Sequence, residues 1–287
     1  MTADAVEPAP RRRVRARKLK ERTTDGSRLG RAISDIWDGL LMVRLWGVLA
    51  WSDIRLQYKR STLGPIWITL SLGLFIGMLG VIYAELFRRE LSIYMPHLTV
   101  GYIIWNVIST FIENGSRTFI NAEGIIKQMF APLSVHAYRL AWVTLITLAH
   151  HAIIFVVIAI IFSIFPTQQW LLAIPGLGLI VLTGIWVSLL LGMLSARFRD
   201  IPQILSSITR VVFFVTPVIW QAELVPHRAL FLNANPLYHY IEIVRGPLLN
   251  KPIDPLHWQV AGAITVLGWI VTIMFYQRFR QRVAYWL

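Results

Sequence analysis

A chain of 287 residues that is 56% hydrophobic and only 15% charged, with a mean hydropathy of +0.58, is composed for lipid rather than for water. It has no cysteine, which excludes disulfides and thiolate-bound metals. Its net charge of +13 is concentrated, with 14 of the 28 Lys and Arg between Arg11 and Arg60. Beside a bilayer such a cluster marks the cytoplasmic side and touches anionic lipid, so nucleic acid is not expected as a partner.

Residues 1–33 mix Pro, Arg, Thr and Gly without apolar periodicity, and a disordered basic cytoplasmic tail is expected there. No apolar run follows Met1, so no cleaved signal peptide is expected. Over residues 34–60, Ile36, Leu40, Val43, Gly47, Ala50 and Ile54 recur at helical spacing. Trp37, Trp46 and Trp51 are interspersed, and Arg44, Asp53, Arg55, Lys59 and Arg60 interrupt. A span with these charges would be costly, and an amphipathic helix lying in the interface is predicted instead.

Residues 61–287 read as an all-α polytopic membrane protein with six transmembrane helices. Residues 61–84 are free of charge and make the first span, and residues 91–112, entered through Pro96, the second. Residues 140–196 carry no Asp, Glu, Lys or Arg over 57 positions, and 166–169 break them into a third span (140–165) and a fourth (170–196). Residues 201–222 make the fifth span and 255–277 the sixth. With the N-terminus inside, 22 Lys and Arg fall on the cytoplasmic side against 5 outside, so both termini are expected in the cytoplasm.

Two connections are more than loops. Residues 221–256 remain apolar but are cut by Pro226, Pro236, Pro247, Pro252 and Pro255, just after Pro217. Short helices that enter and leave the same face are predicted, with an ordinary amphipathic loop as the alternative. Residues 114–138 contain a short helix ended by Pro132. Its apolar side chains Ile125, Ile126, Met129 and Phe130 need a cover, either their own bundle or a cytoplasmic protein.

The sequence holds no phosphate-binding loop and no zinc-binding helix motif. His150 and His151 point about 100° apart on a helix and cannot share a metal. Helix-to-helix hydrogen bonding is expected of them. Arg210 lies about ten residues inside the fifth span, ~15 Å deep. It reads either as a contact for an anionic substrate group or as a structural partner of a carboxylate or carbonyls. Tyr83, Trp105, Phe111, Trp142 and Trp186 can stack on sugar rings, or else serve packing, and Tyr94 with Trp220 reads as part of an interfacial belt.

The chain resembles the permease subunits of ABC transporters that export polysaccharides: O-antigen of lipopolysaccharide, capsule and teichoic acid. The resemblance covers about residues 35–287. It rests on Tyr58-Lys59-Arg60-Ser61-Thr62-Leu63-Gly64-Pro65-Ile66-Trp67 and on Gly101-Tyr102-Ile103-Ile104-Trp105-Asn106. It continues through 121–132, Arg197-Phe198-Arg199-Asp200-Ile201, Thr216-Pro217-Val218-Ile219, Asn235-Pro236-Leu237 and Arg245. Ala131 stands where relatives often carry an aromatic before the proline, with Phe130 one step earlier.

The resemblance implies a homodimer in the bacterial inner membrane, with two copies of a separate cytoplasmic ATPase subunit that binds ATP and magnesium. It implies no cofactor in this chain itself. Ile125, Ile126, Lys127, Met129 and Phe130, with Arg199 and Asp200, would couple to that ATPase. The helix of Trp37, Trp46 and Trp51 would gate entry of an undecaprenyl-pyrophosphate-linked polysaccharide. Pro217, Asn235, Pro236 and Arg245 would cap the outer end of the path. A small-molecule exporter and an integral-membrane glycosyltransferase are the alternatives. The glycosyltransferase needs convergent carboxylates or a metal motif that the sequence lacks.

Overall fold

The computed structural model describes residues 27–57, 59, 64, 66–224 and 232–287. The expected tail up to residue 26, most of the motif over 58–65 and residues 225–231 of the expected re-entrant region lie outside the described residues. Among the described residues every regular element is helical.

The predicted interfacial helix is two helices, α1 (Arg28–Leu41) and α2 (Val43–Gln57). Ser27 caps α1, its Oγ accepting from the Gly30 N–H at 3.1 Å, so helix begins inside the stretch expected to be a tail. Met42 leaves helical geometry (φ −80°, ψ 44°) and divides the pair. The turn lets α1 pack on two later helices while α2 packs on one of them.

The spans follow as α3 (Ile66–Leu86), α4 (Leu91–Ser116), α6 (Ser134–Ile161), α7 (Ala173–Arg197) and α10 (Pro255–Phe279), all long and apolar enough to cross a bilayer. Between α4 and α6 lies the short α5 (Glu123–Gln128). The expected fifth span is shorter than predicted. Helix α8 (Ile201–Val215) stops at Thr216, which is extended at φ −86° and ψ 136°. Pro217 follows, and the residue before a proline is pushed out of the helical region. At 1.5 Å per residue α8 rises roughly 22 Å, short of a ~30 Å hydrocarbon core. Among the described residues there are therefore five apolar helices long enough to cross a membrane and one shorter one, where six complete spans were expected.

Beyond α8 the chain runs through a non-helical segment, 216–221, and a short 3-10 turn before α9 (Pro236–Leu248). Asn235 caps α9, accepting from the Leu237 N–H at 3.0 Å. Helix α11 (Val283–Trp286) ends the chain.

Helix α4 is the hub. It packs on α3, α6, α7, α8 and α9. It is the least hydrophobic of the five long helices and the most buried, whereas few residues of α3 and α10 are buried. In lipid this is the expected order, because apolar residues are comfortable facing acyl chains and smaller or polar ones belong between helices. The α4–α7 seam shows it: Phe111 lies so close to Gly184 that a Cβ there would sit 2.3 Å from its ring.

Helix α1 is seated equally tightly. A Cβ on Gly39 would lie 2.0 Å from the Oγ of Ser134 at the start of α6. Gly39→Ala is expected to lower stability by ~1–3 kcal/mol, the usual cost of overpacking. A fall in Tm of the detergent-solubilised protein, with the helix content unchanged, is the measurement that checks it.

Candidate functional site

One end of the bundle gathers α1, α2, α5, the start of α6 and the C-terminus. Asp35 on α1 is the knot. Its carboxylate accepts from the Tyr276 hydroxyl at 2.5 Å and from Arg280 at 3.1 Å, both from the end of the last span. Ser134 reaches it from the other side, donating its N–H to the carboxylate at 3.4 Å and its hydroxyl to the Asp35 carbonyl at 2.6 Å. The Tyr138 hydroxyl donates to the Ile36 carbonyl at 3.0 Å. Helix α2 is tied separately, by a two-pronged pair of Arg139 with Asp53. Trp46 stacks edge-on against Trp142 at 5.7 Å, while Trp37 and Trp51 are exposed.

The residues predicted to couple to an ATPase are near this knot. On α5, Lys127 bonds Glu123 at 2.6 Å and holds that carboxyl below its usual range. Ile126 turns in against the core, and Ile125 is half-buried. Met129 is 49% exposed and Phe130 is fully exposed. The two covers weighed for this helix are thus divided among its side chains: its own bundle takes Ile126, and Phe130 is left outward.

Arg199 donates to the terminal Leu287 carbonyl at 3.1 Å, and Arg197 lies 5.4 Å over the Trp286 ring. Helix α11 also touches α5, so the C-terminus belongs to this surface, with Tyr285 almost fully exposed. The sequence reading missed these last residues. The signal was an aromatic pair, Tyr285-Trp286, three residues after the basic run of Arg278, Arg280 and Arg282.

Arg210 is exposed on α8, bonded only locally to the Ser206 carbonyl at 3.2 Å and the Ser207 hydroxyl at 3.3 Å. Gln203, Ser207 and Arg210 share one exposed face at helical spacing, a polar stripe that was legible and was passed over. The five aromatics proposed for a path are set apart from one another. Tyr83 packs on Phe87, Trp105 on Phe213, Phe111 against Gly184, Trp142 on Trp46, and Trp186 over Gly268. A connected aromatic group does exist elsewhere, running from Phe75 through Tyr102 and Phe213 to Trp105 and Phe214. Of its members only Trp105 was a candidate for stacking on sugar, and Tyr102 lies in the motif that includes it. His150 bonds the Ile146 carbonyl of its own helix at 2.8 Å instead of reaching across to another.

At the opposite end the structure brings Pro217, Asn235 and Arg245 together. Arg245 is 2% exposed. It donates to the Pro217 carbonyl at 2.8 Å, lies 3.1 Å from the His97 ring and pairs with Glu242 one turn back. Asn235 donates to the Thr216 hydroxyl at 2.9 Å, and Pro236 opens α9. Tyr94, expected in the belt, is buried and donates to the Ile219 carbonyl at 2.6 Å. Glu242 and His97 had no assigned role, although the i, i+3 spacing of Glu242 and Arg245 is a readable signal.

An all-helical membrane bundle with a short helix hung beneath it and a broken helix at its far end has the anatomy of a transport permease. Residues 44–249 match the ABC-2 type transporter family, and the chain belongs to that family. It is similar to two proteins of Klebsiella pneumoniae described as O-antigen export system permease protein RfbA. One is 26% identical over 232 residues and the other 24% over 234, each alignment covering 79% of this chain and 87% of the relative. A Myxococcus xanthus protein of the same description is 22% identical over 233 residues, with 79% and 89% covered.

Asp35 generates a pH prediction. Burial pushes its carboxyl above the usual range, with Tyr276, Arg280 and Ser134 pulling the other way. A carboxyl raised in the folded state binds its proton more tightly there than when unfolded. Its contribution to stability is therefore greatest in acid and is lost as pH rises through the range above ~4. The Tm of the protein relative to Asp35→Asn should thus fall as pH increases from 4 towards 7. A difference that is flat or rises with pH contradicts the assignment.

Proposed function

We propose that the chain is the transmembrane subunit of an ATP-driven exporter that moves an undecaprenyl-pyrophosphate-linked polysaccharide, O-antigen above all, across the bacterial inner membrane. Two copies form a homodimer, and each meets one nucleotide-binding subunit. ATP and magnesium act on that partner, and this chain is not itself an enzyme. The names of the similar proteins support the substrate class. The observation that carries the coupling role is the outward Met129 and Phe130 at the end of α5. A free aromatic ring just past a short helix beneath a permease needs an apolar slot in another protein.

Helix α1, the coupling helix and α11 lie at one end of the bundle, and in this reading that end faces the cytoplasm, with both termini. Helices α1 and α2 form the gate beside which the lipid-linked glycan enters. The polar face of α8 supports the homodimer. An exposed arginine ~15 Å from the helix start is costly against lipid, whereas two copies facing across a wet cavity keep it hydrated. Arg210 then meets the pyrophosphate. Trp105 and its neighbouring rings offer stacking surface, and Tyr83, Phe111, Trp142 and Trp186 remain further candidates at separate points. The cluster around Arg245, Pro217, Asn235 and Pro236 caps the outer end.

Co-purification with the ATPase produced beside it is the direct test. The wild-type chain should bring down its partner in mild detergent. Ile126→Asp with Phe130→Asp should lose it, with ATP turnover of the complex falling at least tenfold. A chain that purifies alone, or a complex indifferent to both substitutions, would overturn the coupling surface.

A further inference from the structure

Helix α4 divides its residues in the opposite sense to α3, α6 and α10. Through the middle of those three spans the exposed positions are apolar, such as Leu74 and Met78, Ile153 and Val157, Val266 and Ile270, as lipid requires. Over the inner half of α4 the order is reversed. Val107, Ile108 and Phe111 are buried, whereas Asn106, Ser109, Thr110, Glu113, Asn114 and the capping Arg117 are half-buried or exposed. Ile112 is the one apolar residue among the open positions. Their spacing is that of one helix face, so α4 carries a polar lane ~16 Å long.

The lane does not stand alone. Phe213 of α8 meets the rings of Trp105 at 5.3 Å and Tyr102 at 5.8 Å. Helix α7 runs parallel to α4, with Gly184 against Phe111 and Gly192 against Phe119, and α8 turns back after it. On the antiparallel pair α4 and α8, Asn106 follows Trp105 by one place and Arg210 precedes Phe213 by three, so both turn to the same side of this contact. They also match in depth, each about ten residues and ~15 Å from the inner end of its helix. The lane of α4 and the stripe of Gln203, Ser207 and Arg210 are adjoining polar walls.

Hydrogen-bonding groups in a span are costly against acyl chains and are kept where they line water. Ser109 and Thr110 donate to the Asn106 carbonyl at 3.1 and 2.7 Å, which leaves both oxygens able to accept. The Asn106 amide bonds none of the described residues and can both donate and accept. We propose that this lane is a wet wall of the transport path, and that Asn106, Ser109 and Thr110 hydrogen-bond the hydroxyls of a sugar chain passing along it. The assignment rests on the transport reading above and adds to it residues that hold the substrate. An acyl chain or an apolar solute gains nothing from such a wall. A chain dense in hydroxyls exchanges bonds to water for bonds to the wall at little net cost, and so can advance from one sugar to the next.

The chain has no cysteine of its own, so single cysteines test the lane in membranes that hold the full chain and its ATPase. Asn106→Cys, Ser109→Cys and Thr110→Cys should react with a charged, water-borne methanethiosulfonate at least about tenfold faster than two controls, because a thiol ionises readily only in water. The controls are Val107→Cys, buried at the same depth, and Ile153→Cys, on the exposed apolar side of α6. Ser109→Cys is nearly isosteric and keeps the test alive if another variant fails to fold. Lane cysteines as slow as the controls overturn the proposal and mean that lipid or a second copy covers this face; normal export beside that result leaves the transport reading standing. The sugar contact is read separately, as polysaccharide reaching the surface of cells that carry only the variant. Asn106→Leu with Thr110→Val removes the bonds and should lower it about tenfold with the ATPase still bound, while Asn106→Gln with Thr110→Ser should retain most of it. Surface polysaccharide at the wild-type level in the Leu/Val variant overturns the contact. Reactive lane cysteines in a wild-type background that exports no polysaccharide overturn the sugar as occupant, together with the transport reading.

Discussion

In hydrocarbon there is no water to bond a stray peptide group, so wherever the helix stops the protein must supply the partners itself. This chain stops a helix at Thr216, within the bundle. Thr216, Pro217, Val218, Ile219 and Gln221 are all buried although they are not helical. Side chains from three places meet that demand. Tyr94 of α4 serves the Ile219 carbonyl, Arg245 of α9 the Pro217 carbonyl, and Asn235 the Thr216 hydroxyl. Much else follows from this one break. Arg245 brings a charge that Glu242 must balance. It also needs Gly101 on α4, where a Cβ would lie 2.9 Å from the guanidinium. The hub helix is consequently the least apolar of the long ones, and it has to be the most buried.

The opposite end repeats the logic with different groups. Asp35 is a buried carboxylate on a helix of only 14 residues, held by Arg280, Tyr276 and Ser134. Buried ion pairs add little net stability, because desolvation offsets attraction, but an unpaired partner costs several kcal/mol. Both clusters thus act as latches. Each fixes which surfaces meet, and each penalises a structure in which one member is withdrawn. Between them lies α8, with its polar face unlatched and open.

The fold was legible because membrane helices announce themselves by length and by the absence of charge. The charge-free stretch 140–196 became α6 and α7, with its turn where Pro166 interrupts. The short helix after α4 and the broken region after α8 were visible from their prolines. Boundaries failed where a single residue's geometry decides, as at Met42, which no periodicity marks, and at Thr216, where Pro217 won over an apolar run. Roles failed where they depend on distant partners. Nothing local to Tyr94 distinguishes a belt tyrosine from one whose hydroxyl meets a carbonyl 125 positions later. The separate neighbours of Tyr83, Trp105, Phe111, Trp142 and Trp186 were unreadable for the same reason: ring contacts are set by helix rotation, which a list of aromatics does not contain.

Hydrogen exchange of the backbone amides at 218–221, measured in a lipid nanodisc, bears most directly on the claim that protein side chains hold the helix break. Slow exchange, comparable with that of α4 and α7 and accelerated by Arg245→Ala, is the result this account predicts. Exchange as fast in the wild type as in the exposed turn at 165–169 would mean that water, not Tyr94 and Arg245, satisfies the broken backbone, and would contradict it.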